Sequence, residues 1–369
     1  MQGMDWDAEG LLDGLEADER TAREGLLDRL HGQGITVDEL RAAVSEDRLV
    51  LLPLERLLGG QYTAAEVQEK TGIPADLLLR IRRLSGLPEP GPDDRVFGEE
   101  DLEVGRSTQL FLEAGLTEQS ISEMTRVLGE AMARVAATTS GHFVEAFLRP
   151  GDSEVDLAER FENLAQQLTP AIEPVLVAAL KSHLREAVRR GMIGREDRLV
   201  GYVDQGLPVA VCFADVVGFT RLGAEVDVEE LGHVAAALAE LAAEVTEPPV
   251  RLVKTIGDAA MFVSSDPGPL VGVSLALVER IELAELPPLR AGIAYGRALQ
   301  RSGDVFGHSV NLASRVTGIA RPGSVLVTQE VRDAAPEDYE WSFAGKHRLK
   351  GLKELQSLHR ARPRSSPEG

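Results

Sequence analysis

The sequence predicts an α+β protein built in two parts, an all-helical first half and a sheet-forming second half. Three observations predict it. Apolar residues recur at helical spacing up to about residue 190. Beyond that point short apolar runs alternate with two long amphipathic stretches in the order β-α-β-β-α-β. That is the order of a split βαβ, ferredoxin-like sheet with both helices on one face. With 369 residues the chain is also long enough for two hydrophobic cores.

Within the first half, "VDLAERFENLAQQL" sets Val155, Leu157, Phe161, Leu164 and Leu168 at near-helical spacing, and "TPAIEPVLVAALKSHLREAV" continues in kind. "GLPEPGPDD" at 86–94 reads as a loop, and "RPGDSE" at 149–154 separates one helix from the next. "YTAAEVQEKTGIPADLLLRIRRLSGLPEP", followed by "DDRVFGEEDLE", is similar in rhythm to the winged helix-turn-helix of MerR-type regulators. Arg80, Arg82 and Arg83 then fall on its second helix. DNA contact needs a basic footprint, and acidic segments surround this one. A packed helical hairpin with a solvated arginine face is therefore favoured over a DNA-binding reader. Core packing is likewise the favoured reading of "IEPVLVAALKSHL", with an enclosed lipid as the alternative.

In the second half "PVAVCFA" is a short strand. "VEELGHVAAALAELAAEV" is a helix whose apolar stripe runs through Leu231, Val234, Leu238, Leu241 and Val245. "PVRLVKTI" and "AAMFVSS" are strands joined by a tight Gly257-Asp258 turn. "GPLVGVSLALVERIELAEL" is the second helix and "LRAGIAYG" the fourth strand. "VNLASRVTGIA" adds a short helix and "SVLVT" a further strand. The expected division is a helical domain at 1–190, a linker at 191–206, a sheet-forming domain at 207–362 and a tail at 363–369.

A formal net charge of −21 argues against nucleic acid or anionic lipid as the principal partner. The segment 1–50 is markedly acidic, whereas "KHRLKGLKELQSLHRARPR" is basic. No stretch approaches the apolar length of a membrane span, and "MQGMDWDAEG" lacks the features of a signal peptide. The single cysteine, Cys212, lies in an apolar run and is expected to be a buried thiol, so a cytoplasmic location is expected.

The candidate chemistry starts from two aspartates. Asp215 follows an apolar strand in "VCFADVVGFT", and Asp258 lies 43 residues on in "LVKTIGDAAMFV". An ionised carboxylate at the end of a buried strand is costly unless it is paired or binds a cation. Two of them at neighbouring strand ends suit Mg²⁺ or Mn²⁺, which take one or two carboxylates plus substrate phosphates. Downstream, "GDVFGHSVNLASR" places Asn311 and Arg315 on one helix face, with Asp304 in a turn just before them. Asn can orient a sugar, Arg presents a planar cationic fork to phosphate, and Asp can accept from an exocyclic amine. "HRLKGL" adds Lys350. No GxxxxGK[ST] loop or GxGxxG fingerprint is present, so a nucleotide must be held in another way.

Taken together, "FADVVGFT", "KTIGDAAMF", "GDVFGHSVNLASR" and "RLKG" resemble the catalytic domain of the class III nucleotidyl cyclases over about residues 205–360. The resemblance implies a ferredoxin-like core with a dimerisation arm, paired head to tail in a homodimer. It implies that Asp215 and Asp258 bind two divalent ions, Mg²⁺ or Mn²⁺, and that Lys254 and Asp304 read adenine. Asn311 would then orient the ribose, Arg315 stabilise the transition state, and Lys350 grip the triphosphate. Guanylyl cyclases of the family typically carry Glu and Cys or a similar residue at the base-reading positions, so Lys254 and Asp304 imply ATP. The helical first half resembles the autoinhibitory domain of actinobacterial adenylyl cyclases, some of them pH-responsive. His183 and His347 are among the groups able to change charge between pH 8 and 5.5. The competing reading is a catalytically silent cyclase-like module for dimerisation or ligand sensing.

Overall fold

A computed structural model describes residues 4–149, 151–189, 206–223, 226–301, 303–335, 337–352 and 354–364. The chain divides into two compact units, one on each side of residues 194 and 195. Most of the expected linker at 191–206 and most of the expected tail at 363–369 lie outside the described residues.

Among its described residues the first unit forms helices joined by loops and one antiparallel bridge, between Tyr62 and Phe97. Its helices are α1 (Ala17–Gly32), α2 (Val37–Ser45), α3 (Leu52–Leu57), α4 (Ala64–Thr71), α5 (Ala75–Leu84), α6 (Glu99–Glu113), α7 (Glu118–Phe147) and α8 (Glu154–Arg189). Local chemistry sets two of the starts. Thr36 and Glu39 form a capping box on α2, and Thr63 and Glu66 form one on α4. Two small cores result. Trp6, Leu26, Leu27, Leu30, Leu40 and Leu52 build the first, which also takes Ala158 of α8. Arg29 ties α1 to Glu159 of α8 at 2.9 Å. The second core joins Val67, Ile73, Leu77, Leu78, Phe97 and Leu102, which packs α4 against α5 and α6.

That arrangement does not leave its arginines free. Arg80 donates to Glu118 at 2.7 Å, Arg83 to Glu89 at 2.5 Å, and Arg82 to the Pro88 carbonyl at 3.0 Å. Helix α8 runs unbroken past Pro170 and Pro174. Val175, Val177, Leu180 and Leu184, in the stretch read as core packing, are exposed instead.

The second unit is a mixed sheet with helices on both faces. Its strands are β1 (Leu207–Val216), β2 (Arg251–Ile256), β3 (Ala259–Ser264), β4 (Leu289–Arg301), β5 (Asp304–Phe306), β6 (Ser324–Thr328), β7 (Tyr339–Arg348) and β8 (Leu355–Pro363). The strand order is β2-β3-β1-β4-β6-β8-β7, with β5 paired to β4. The helices here are α9 (Phe219–Leu222), α10 (Val228–Glu244), α11 (Pro267–Leu283), α12 (His308–Ile319) and α13 (Gln329–Ala334).

The first four long strands have the ferredoxin-like order, and α10 and α11 cover one face through Val234, Leu238, Ala242, Leu270 and Leu277. Cys212 lies in that core beside Ser274, and burial pushes its thiol up to about 12, which makes it inert. Helix α12 covers the opposite face through Leu312, Ala313 and Val316. It packs close because Gly292 of β4 has no side chain: a methyl there would overlap the Thr317 amide. Thr317 also donates to the Phe213 carbonyl at 3.1 Å.

Candidate active site

Side chains alternate across a strand, so Val209, Val211, Phe213 and Asp215 share the face that α12 covers. Asp215 stands at the exposed end of that row, opposite Ala259 of β3 and Arg290 of β4. Gly257, with φ of +56°, makes the tight turn between β2 and β3. The turn is fixed to the end of β1 by the Val216 amide, which donates to the Asp258 carbonyl at 2.9 Å. The two aspartates expected to share a site are thereby brought together. Burial pushes the Asp258 carboxyl above the ordinary carboxylate range, the nearby Asp215 charge adds to this, and its own backbone amide and Arg290 oppose it.

Two crowded carboxylates fit a hard divalent cation that draws its remaining ligands from substrate phosphate and water. Among the described residues no cluster of three or more His, Cys, Asp or Glu side chains forms an all-protein metal cage.

Lys254 and Asp304 also meet. The Lys254 ammonium donates to Asp304 Oδ2, and the Val305 amide donates to Oδ1 at 2.8 Å. A β-bulge makes the meeting possible. Leu252 pairs with Phe262, but Lys254 pairs with Met261, so one extra residue is taken up between them. Met261 belongs to the face of the sheet under α12, and without the bulge Lys254 would point to the other face. Burial pushes the Asp304 carboxyl up. The bonds from Lys254 and the Val305 amide, with the Lys254 and Arg251 charges, outweigh this and leave it below the ordinary range.

The remaining residues lie on α12 and on the β7–β8 arm. Asn311 is exposed one turn before the half-buried Arg315. Leu349 and Leu352 pack into the α12 core and fold the β7–β8 loop over the helix. That loop brings Gly351 against the Arg315 guanidinium, with exposed Lys350 beside it. One chain therefore holds an acidic pair, a lysine–aspartate pair and a cationic pair.

Arg290 was not among the residues singled out in the sequence. It donates to Asp215 Oδ2 from Nε at 3.0 Å and from Nη2 at 2.6 Å. "LRAGIAYG" marks a strand, but nothing in it says which residue stands opposite Asp215; only the β1–β4 register does.

Comparison with known proteins finds relatives of both halves of the chain. The family model for the adenylate cyclase regulatory domain matches residues 4–188, and that for the adenylate and guanylate cyclase catalytic domain matches residues 202–359. The chain is 41% identical to the pH-sensitive adenylate cyclase MT1302 of Mycobacterium tuberculosis, over 97% of this chain and 92% of that protein. It is 34% identical to an adenylate cyclase of Streptomyces coelicolor, over 76% of this chain and 74% of that one. The solved adenylyl cyclase CyaB from P. aeruginosa aligns at 19% identity with a TM-score of 0.39, covering 44% of this chain and 97% of its own.

Proposed function

The chain belongs to the adenylate cyclases that carry a regulatory domain ahead of the catalytic one, and on that premise we propose that it converts ATP to 3′,5′-cyclic AMP and pyrophosphate at sites shared between two copies of itself. The observation that carries the choice of ATP is the Lys254–Asp304 pair. A lysine donor serves an unprotonated ring nitrogen of adenine, and a carboxylate accepts from its exocyclic amine. Guanine presents the reverse pattern on that edge.

The reaction is an in-line attack of the ribose 3′-oxygen on the α-phosphorus, with pyrophosphate leaving. Asp215 and Asp258 would hold two divalent ions, Mg²⁺ or Mn²⁺, which supply acidification of the 3′-hydroxyl and neutralisation of phosphate charge. The chain's own residues do the positioning. Asn311 orients the ribose, Arg315 faces the charge that builds on the α-phosphate, and Lys350 holds the triphosphate. The Arg315–Lys350 grouping belongs to one chain and the acidic pair to its partner, so a homodimer forms two sites.

The division into a regulatory domain at 1–190 and a catalytic domain at 207–362 is part of this reading. The first unit lowers activity and acidification relieves it, in keeping with the pH-sensitive relative. The carboxylate-paired arginines of α5 favour this regulatory role over DNA reading. Among the described residues no helix is long and apolar enough to cross a membrane. The single buried cysteine supports a cytoplasmic setting.

Product analysis tests the reading. The purified chain should yield cyclic AMP from ATP with Mn²⁺ or Mg²⁺ and little cyclic GMP from GTP. No cyclic nucleotide under any of these conditions would leave the silent-module reading in its place.

A further inference from the structure

Arg290 is absent from the chemistry assigned above, yet it donates two hydrogen bonds to Asp215. Antiparallel register sets the two directly opposite each other, so their side chains leave the sheet on the same face as near neighbours. Both nitrogens of one edge of the guanidinium reach the same carboxylate oxygen, Oδ2. The third nitrogen, Nη1, donates to the Gly318 carbonyl at 3.2 Å, at the C-terminal end of α12. A helix C-terminus favours a cation, so this bond gives the guanidinium a second anchor independent of Asp215. Each side chain of the pair keeps only about a quarter of its exposure, 28% for Arg290 and 26% for Asp215. Water therefore screens the pair only in part.

We propose that Arg290 is the resident counter-charge of the acidic pair, holding Asp215 ready in the cation-free protein and setting the cation affinity of the site by competing for it. The inference rests on the reading of Asp215 and Asp258 as cation ligands. Two carboxylates this close repel each other when no cation is present. A guanidinium on one of them offsets part of that repulsion and keeps the carboxylate in a fixed orientation. A divalent ion arriving at the pair must then share or displace that guanidinium, and the positive charge opposes its entry. The Gly318 carbonyl keeps Arg290 beside the site when Asp215 turns to the ion. Arg290 is thus a positioning residue: it lowers intrinsic affinity and keeps the empty site ordered.

Nucleotide-free Mn²⁺ binding tests this, with the full chain titrated and free Mn²⁺ read by electron paramagnetic resonance. Arg290→Gln should bind Mn²⁺ roughly three- to tenfold tighter than the wild-type chain, because one opposing charge at short range is removed. Arg290→Lys, which keeps a charge but not the fork, should fall between them. In chelator Arg290→Gln should melt below wild type, and Mn²⁺ should raise its melting temperature by more than it raises that of wild type. A purely structural arginine would lower both stability and affinity. Equal or weaker Mn²⁺ binding in the folded variants overturns the inference. Should Arg290→Gln not fold, Arg290→Lys decides alone, and affinity no tighter than wild type overturns it. Asp215→Asn gives the background. If no chain exceeds that background, the inference fails, and cation-dependent product formation by wild type then judges the cation reading separately.

Discussion

Lys254 and Asp304 lie 50 residues apart in the sequence and share a hydrogen bond across the sheet face that carries Asp215. The bond depends on the bulge at Leu252–Lys254, which turns the lysine onto that face. Lys254→Glu replaces the donor with an acceptor and sets two carboxylates against each other. Its ATP-to-GTP ratio in kcat/KM should fall by about one to two decades, the usual consequence of losing one buried polar partner worth about 1–3 kcal/mol. An unchanged ratio would reduce Lys254 to a brace for the β2–β3 hairpin.

Sharing of sites between chains makes a second prediction. Asp215→Ala removes a group of the acidic set, and Arg315→Ala removes one of the cationic set. Each homodimer should be nearly inactive. Mixed and allowed to exchange, they should recover activity, because one of the two sites in each heterodimer contains only intact groups. Inactivity after subunit exchange has been verified by mass spectrometry would exclude shared sites.

His359 links the arm to the rest of the sheet unit, with Nε2 2.7 Å from Gln329 Oε1 and its ring against Phe343. Burial lowers its pKa, the Arg332 charge lowers it further, and Asp333 opposes both. The folded chain therefore takes up this proton at lower pH than the unfolded chain, whose histidine titrates near 6.5. Between those two values the unfolded state binds more protons, so stability falls as the pH drops below about 6.5. Melting curves of wild type and His359→Gln between pH 7.5 and 5 should show a smaller acid loss in the variant. Parallel curves would mean the ring does not contribute.

Gly292 tests how α12 is seated. A methyl at this position overlaps the Thr317 amide, and backbone cannot move aside as a side-chain tip can. Gly292→Ala should cost at least the 1–3 kcal/mol typical of overpacking, roughly, measured by urea unfolding, and should weaken catalysis because α12 carries Asn311 and Arg315. A stability change within about 0.5 kcal/mol would show that the helix shifts without penalty.

The sequence made the ferredoxin-like order legible because alternation, helical stripes and Gly257 are local signals. Asp215, Asp258 and Asp304 were legible because each sits at a strand end or turn, whereas Lys254, inside β2, is marked only by the phrase "KTIGDAAMF" and the resemblance it carries. Arg290 was not, since its meaning comes from register across β1 and β4, which no local pattern encodes. Nor was the bulge, because "PVRLVKTI" alternates no differently with or without an extra residue. The short β5 and the β7–β8 arm escaped for another reason. "YEWSFAGKHR" mixes charged, small and aromatic residues, and its strand form is set by pairing with β8. In the first half the packed helices could be read, whereas the pairing of Arg80 with Glu118 and Arg83 with Glu89 joins segments whose contact depends on the tertiary fold.

Regulation by the first unit supplies the last prediction. The catalytic unit has its own two cores, one on each face of the sheet, so residues 200–369 should fold alone. None of the nucleotide-handling residues lies in the first unit, and acidic side chains open its first helices, with Asp18 and Glu19 in the first turn of α1 and Asp38 and Glu39 in that of α2. A shared site is sensitive to spacing: a shift of about an ångström between reacting groups is enough to lose much of the rate. A unit that holds two catalytic units slightly out of register would therefore silence both sites, and protonation of groups that maintain that hold would release them. Histidine is the residue type whose charge changes most readily in this range, and His183 is an exposed histidine on α8, the last described helix of the first unit. Comparison of pH–rate profiles for the full chain and for residues 200–369 decides. Autoinhibition predicts that the short form is more active near neutrality and that its profile is much flatter between pH 8 and 5.5. His183→Gln in the full chain should blunt the acid response if this ring is a sensor, and leave it unchanged if the proton is taken up elsewhere. Superimposable profiles for the two forms would reject regulation by the first unit altogether.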